Sequence, residues 1–97
     1  MDKSSVDWHG SWVALVTPFD AEGVIDEAGF ARNVDLCIRG GVNGVLVSGC
    51  TGEFWALSDA ERVRLFALGV EAAAGRVPVI GGTGAIRTPD AIALSVA

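Results

Sequence analysis

An α/β fold of parallel strands is what this chain predicts, and three observations predict it. Short apolar runs begin near residues 12, 44 and 77, so they recur every 32 or 33 residues. Each is followed by a loop and then by a segment with helical periodicity, the β/α alternation of a parallel sheet with right-handed crossovers. The runs are continuous rather than alternating, as expected where helices cover both faces of a sheet. Eight units of this size need on the order of 260 residues, the length of a (β/α)8 TIM barrel. The 97 residues therefore read as the first three β/α units of one.

The elements follow in order. Residues 1–10 are polar and are expected to form a loose N-terminal segment, with residues 11–97 the N-terminal portion of the barrel. Trp12-Val13-Ala14-Leu15-Val16 reads as a buried strand stopped by Thr17-Pro18. After a turn at Phe19 to Gly23, Asp26 is a good N-cap, and Phe30, Val34, Cys37 and Ile38 repeat at helical spacing. Gly40-Gly41 ends that helix.

Gly44 to Ser48 is the second strand. Ser58-Asp59-Ala60-Glu61 is a capping box, opening a helix with Val63, Phe66, Ala67 and Val70 on its apolar stripe and ending at Ala74-Gly75. Val77-Pro78-Val79-Ile80 is the third strand, its proline near the start where a missing donor is tolerated. A second glycine-rich loop, Gly81 to Ala85, follows it. Thr88 as N-cap and Pro89 at the first helical position open a third helix carrying Ala91, Ile92, Leu94 and Val96. Its pattern is still running at Ala97, and a bare three-stranded parallel sheet exposes two apolar edges, so the chain is expected to be a fragment of a larger domain. Ankyrin arrays share the period, but here each unit opens with a buried strand and the TPLH-type signature is absent.

Composition narrows the function. The formal charge is -5, with 51% hydrophobic and 20% charged residues, as in a soluble, mildly acidic globular protein. The seven basic residues are scattered, which argues against nucleic acid. No window approaches the ~18 apolar residues of a membrane span. The first residues lack a signal-peptide pattern, so a cytoplasmic location is expected. Cys37 and Cys50 have no CxxC spacing and fit a reducing compartment. His9 is the only histidine and sits near the loose terminus, so no metal site is expected; no cofactor is expected either.

The chemistry gathers in Gly49-Cys50-Thr51-Gly52-Glu53, at the carboxyl end of the second strand, where β/α folds keep their ligand sites. Gly49 and Gly52 permit a turned backbone whose N–H groups converge on an anion, and the following helix N-terminus adds to that field. With the Thr51 hydroxyl this makes a seat for a small carboxylate or phosphate; a purely structural glycine turn is the competing reading. Glu53 reads as an acid–base group or as a carboxylate satisfying backbone N–H groups at the helix start. Phe54 and Trp55 either line a pocket mouth, bury against another subunit or pack in the core. Thr17 and Thr83, at the carboxyl ends of strands, face the same end as supports for the loop.

Read together, GCTGEFWALSDAER, the GVLVS before it, VALVTPFD some 30 residues earlier and the following RVPVIGGTGA resemble the dihydrodipicolinate synthase and N-acetylneuraminate lyase family of pyruvate-dependent class I aldolases. The resemblance covers residues from about 11 to 97. It implies a (β/α)8 barrel, commonly a homotetramer, in which a 2-keto acid forms a Schiff base with a lysine for aldol addition, cleavage or dehydration. It implies that Thr51 and Gly52 hold the keto-acid carboxylate, Thr51 through its N–H and hydroxyl. The resemblance implies that Cys50 stands at a position usually held by serine or threonine, one that takes part in a hydroxyl proton relay with tyrosines expected, like the lysine, from strands beyond Ala97. A thiol is a weak donor and acceptor with a pKa of roughly 8.5, so Cys50 is a poorer relay link, or else a small buried gap-filler. Lys3 is the only lysine and there is no tyrosine, so by resemblance the catalytic lysine lies beyond Ala97. Two other readings stay open: a small anion- or nucleotide-binding α/β domain using residues 49–53 and 81–85, and a truncated non-enzymatic interaction subunit. Neither loop carries the G-K-[ST] ending or the third glycine of the nucleotide fingerprints.

Overall fold

A sheet of three parallel strands in the order β1-β2-β3 carries the chain. β1 spans Trp12–Ala14, β2 Gly44–Val47 and β3 Val79–Gly81. Val45 pairs with Val13 on one side and with Val79 on the other, so β2 is the central strand. Parallel neighbours need long crossovers, and α1 (Glu27–Arg39) and α2 (Asp59–Ala73) provide them, with α3 (Thr88–Val96) following β3. These features come from a computed structural model, which describes residues 5–97. Lys3 lies outside the described residues.

The strands are shorter than the apolar runs. Leu15 and Val16 lie past β1, and Val77 and Pro78 precede β3. The hydrogen bonding reaches further than the strand boundaries. Leu15 N donates to the Leu46 carbonyl at 3.0 Å, and the Pro78 carbonyl accepts from Val45 N at 3.1 Å. Proline is thus used for its acceptor where its missing N–H costs nothing.

Two helix starts lie where local chemistry puts them. Asp26 Oδ1 accepts from Gly29 N at 3.0 Å. Ser58 Oγ accepts from Glu61 N at 3.1 Å while Glu61 Oε1 accepts from Ser58 N at 2.8 Å, the complete capping box. The third start differs by one residue. Arg87 rather than Thr88 is the N-cap of α3, because its carbonyl accepts the first bonds, from Asp90 N and Ala91 N at 3.1 and 3.2 Å. Thr88 is already helical and caps nothing.

The core is Leu15, Phe30, Val34, Val45, Val47, Leu57, Leu65 and Leu68, between the sheet and the first two helices. In α1 the expected stripe is the inner face, with Phe30 and Val34 fully buried. In α2 it is not. The buried residues are Arg62, Leu65, Leu68, Gly69 and Ala73, whereas Val63, Ala67 and Val70 face outward and Phe66 is half-buried. Gly69 decides the phase: a Cβ there would stand 2.8 Å from Val47 Cγ2, so the helix presses its glycine onto β2. Leu65 and Ala73, four residues either side, turn inward with it.

The opposite end of the sheet is closed by aromatic packing. Trp8 stacks on Trp12 with ring centroids 5.4 Å apart, and a Cβ on Gly44 would fall 2.2 Å from the Trp12 ring. Outside, Arg64 bonds both carboxylate oxygens of Glu27 at 3.0 Å, clipping α1 to α2, and Arg76 bonds Asp35 at 2.9 Å, clipping α1 to the turn that follows α2. No helix among the described residues is long and apolar enough to cross a membrane.

Candidate functional site

Past Val47 the backbone reverses its hand twice. Ser48 has φ 59° and Glu53 has φ 60°, both in the left-handed region, and the loop Gly49–Gly52 lies between them. Glu53 N donates to the Cys50 carbonyl at 3.0 Å and Phe54 N to the Gly49 carbonyl at 3.3 Å, so the loop closes on itself before a short 3-10 turn at Phe54–Ala56. Buried Leu57 anchors its exit.

The glycines work differently from the sequence expectation. Gly49 and Gly52 are not among the positive-φ residues. Their neighbours Ser48 and Glu53 take that conformation, and Gly52 is needed for close approach instead. A Cβ on Gly52 would meet the Leu15 carbonyl oxygen at 3.1 Å and Ser48 Cα at 3.2 Å. Across from it, a Cβ on Gly82 would lie 2.5 Å from the Ser48 carbonyl oxygen. The two glycine-rich loops are therefore in backbone contact.

Thr17 supports the loop as expected. Its buried hydroxyl donates to the Gly52 carbonyl at 2.8 Å. The Thr83 hydroxyl is bonded away from the loop, accepting from Ser95 Oγ in α3 at 2.8 Å. Glu53 makes no capping bond and its side chain is exposed, which removes the reading of it as a helix-start cap. Cys50 is an exposed free thiol, so it fills no gap in the core. Thr51 is exposed beside it, and Gly52 is buried. Among the described residues, none accepts a hydrogen bond from the N–H groups of Thr51 or Gly52. These two backbone donors and the Thr51 hydroxyl follow one another in the chain just past the carboxyl end of β2.

Arg62 is the residue that sequence reasoning missed. It is 3% exposed, on the inner face of α2 one turn before Leu65. Its Nε donates to Ser48 Oγ at 3.1 Å, Nη1 to the Gly84 carbonyl at 2.8 Å and Nη2 to the Gly82 carbonyl. Its Cζ lies 4.9 Å from the centre of the Phe54 ring, a cation–π contact. Burial pushes the pKa of the guanidinium down, and the charge of Asp59 opposes this. An arginine keeps its proton under such a shift. The signal available in the sequence was a charge three residues before Leu65 on what becomes the buried stripe.

Beside Arg62 a cavity of about 480 Å³ is lined by Phe54, Trp55, Leu57, Ala85, Ile86 and Asp90. Phe54 and Trp55 meet edge to face at 5.4 Å, and both line this cavity. No group of three histidine, cysteine or acidic side chains able to hold a metal ion stands among the described residues.

The sequence model of the dihydrodipicolinate synthetase family matches residues 7–97. A DapA-like lyase of Rhizobium meliloti is 48% identical over 92% of this chain and 30% of its own length. A dihydrodipicolinate synthase of Bacillus anthracis superimposes with a TM-score of 0.86 at 38% identity, covering 93% of this chain and 31% of that one. The dihydrodipicolinate synthase of Acinetobacter baumannii, solved in complex with pyruvate, gives 0.86 at 37% identity, over 90% of this chain and 30% of that one. The chain spans about 30% of the length of the relatives it matches, and its three β/α units correspond to the first units of their barrel.

Proposed function

The chain belongs to the dihydrodipicolinate synthetase family, and from that premise we propose that the protein of which it forms the N-terminal part is a Schiff-base-forming lyase acting on pyruvate or a related 2-keto acid. The observation that carries this reading is the exposed Thr51 with its free N–H and that of Gly52, at the carboxyl end of the central strand. A carboxylate held there accepts two backbone N–H bonds and the threonine hydroxyl. Charge-assisted bonds of this kind are about twice as strong as neutral ones. The pyruvate complex of the Acinetobacter baumannii relative supports a 2-keto acid as the occupant.

In this reading the two parts of the chemistry are separated along the chain. These residues orient the acid by its carboxylate, and a lysine from a later strand forms the imine with its keto carbon. A lysine whose amine loses its proton in a dry pocket is the group such chemistry needs, and Lys3 is the only one in this sequence. Cys50 occupies the relay position and passes a proton less readily than a hydroxyl. The isolated chain binds part of the substrate and catalyses nothing. The complete protein is a cytoplasmic homotetramer with a small-molecule substrate.

Borohydride reduction in the presence of pyruvate tests this. The full-length protein gains a pyruvyl adduct in its mass spectrum, while the 97-residue chain stays unmodified. An adduct on the short chain, or a full-length protein stabilised by nucleotides and untouched by pyruvate, sinks the reading.

A further inference from the structure

We propose that Arg62 is a positioning residue that couples the two glycine-rich loops, so that residues 82–84 set the conformation in which the Cys50-Thr51-Gly52 segment meets its ligand. The observations are geometric. One guanidinium holds three acceptors on two separate loops: Ser48 Oγ, two residues before Cys50, and the carbonyls of Gly82 and Gly84. The side chain is 3% exposed and forms no ion pair among the described residues. A buried cation is costly unless it is hydrogen-bonded and its charge is offset, and here three N–H donors are bonded while the charge of Asp59 acts from nearby. Here the satisfied donors converge on the loops rather than on the core.

The contact leaves no slack. Gly82 N donates to the Val47 carbonyl at 2.8 Å, and a Cβ at Gly82 would fall 2.5 Å from the Ser48 oxygen. A shift of the second loop must therefore move Ser48. At the far end of the segment Thr17 holds the Gly52 carbonyl. Thr51 is strung between these two fixed points, one reached through Arg62 and one through Thr17. The planar fork matters as well as the charge, because a lysine ammonium keeps the charge but cannot span three acceptors in this geometry.

The effect on ligand affinity rests on the proposed 2-keto acid reading, but the coupling itself does not, and Cys50 reports it directly. The experiment compares Arg62→Lys and Ser48→Ala with the unsubstituted full-length protein. It measures the iodoacetamide alkylation rates of Cys50 and Cys37 separately by peptide mass spectrometry, and the pyruvate concentration that half-saturates borohydride trapping. Arg62→Lys changes the Cys50 rate severalfold with the Cys37 rate unmoved, and raises the half-saturating pyruvate concentration about tenfold, the size expected for a displaced binding group. Ser48→Ala, which removes one bond of the three, moves both quantities the same way by less. Should Arg62→Lys not fold, Ser48→Ala decides. A Lys variant matching the original in both readouts overturns the proposal, as does a parallel rise at Cys37, which marks general loosening. A protein that traps no pyruvate at all defeats the substrate reading, and the alkylation rates then judge the coupling alone.

Discussion

The hydroxyl of Thr17 donates to the carbonyl of Gly52 at 2.8 Å, joining the end of the first strand segment to a loop 35 residues later. Both residues are buried. Thr17→Val keeps the shape, removes the donor and leaves that carbonyl unpaired away from water. Such a group costs about 1–3 kcal/mol. Urea unfolding of the full-length protein checks this, and an unchanged midpoint would show that the carbonyl finds another partner.

Thr51 is the converse case. It is exposed and holds no other part of the fold, so Thr51→Ala leaves stability within about 0.5 kcal/mol. Its loss instead weakens keto-acid binding by about tenfold or more, since hydrogen bonds to charged groups contribute about 1.5–3 kcal/mol. Titration of borohydride trapping against pyruvate measures it. A variant that loses stability but not affinity would make Thr51 a scaffold residue.

The backbone contact between the loops predicts a contrast between two neighbouring glycines. A Cβ at Gly82 meets the Ser48 oxygen at 2.5 Å, whereas one at Gly84 meets nothing within 4 Å. Gly82→Ala is expected to destabilise by about 1–3 kcal/mol, as overpacking does, and Gly84→Ala to be nearly neutral. Thermal unfolding of the pair tests the contact, and equal midpoints would refute it.

Acid reveals the clips on α1. The Arg64 hydrogen bond holds the Glu27 carboxyl below its ordinary pKa, and the Arg76 hydrogen bond does the same for Asp35. Both carboxylates bind protons more weakly folded than unfolded. The stability they add is therefore present above the ordinary carboxylate range and is lost as pH falls through their lowered folded values. Both pairs are solvent-exposed and salt weakens them. Glu27→Gln should lower stability slightly at neutral and higher pH, where the charged pair is intact, and leave it unchanged below the folded value, so the acid side of a stability-against-pH curve flattens.

What could be read from the residues alone was what local chemistry controls. Asp26 and the Ser58–Glu61 pair announced their helices because a cap and the N–H groups it satisfies lie within one turn. The loop at the end of β2 was legible for a similar reason, since two glycines and a threonine after a continuous apolar run have few uses. The inner face of α2 was not legible. Val63 and Val70 are more apolar than Gly69, but the glycine faces Val47 because only it fits there, and that neighbour is distant in sequence. The same reason hid the conformation at Ser48 and Glu53, which take the left-handed backbone usually assigned to glycine while Gly52 supplies close approach. Arg62 was invisible as a functional residue because two of its three acceptors are main-chain carbonyls, which any sequence possesses.

Ser48 and Glu53 also say something about how this chain is selected. A left-handed backbone costs a residue with a side chain roughly 1–2 kcal/mol, and glycine relieves it. At Glu53, whose carboxylate caps nothing, Glu53→Gly is a direct route to greater heat resistance. At Ser48 the same change also discards the hydroxyl bonded by Arg62. Variants enriched for thermal survival alone should therefore acquire glycine at 53 and spare 48, while a screen for turnover should resist change at 48 most strongly.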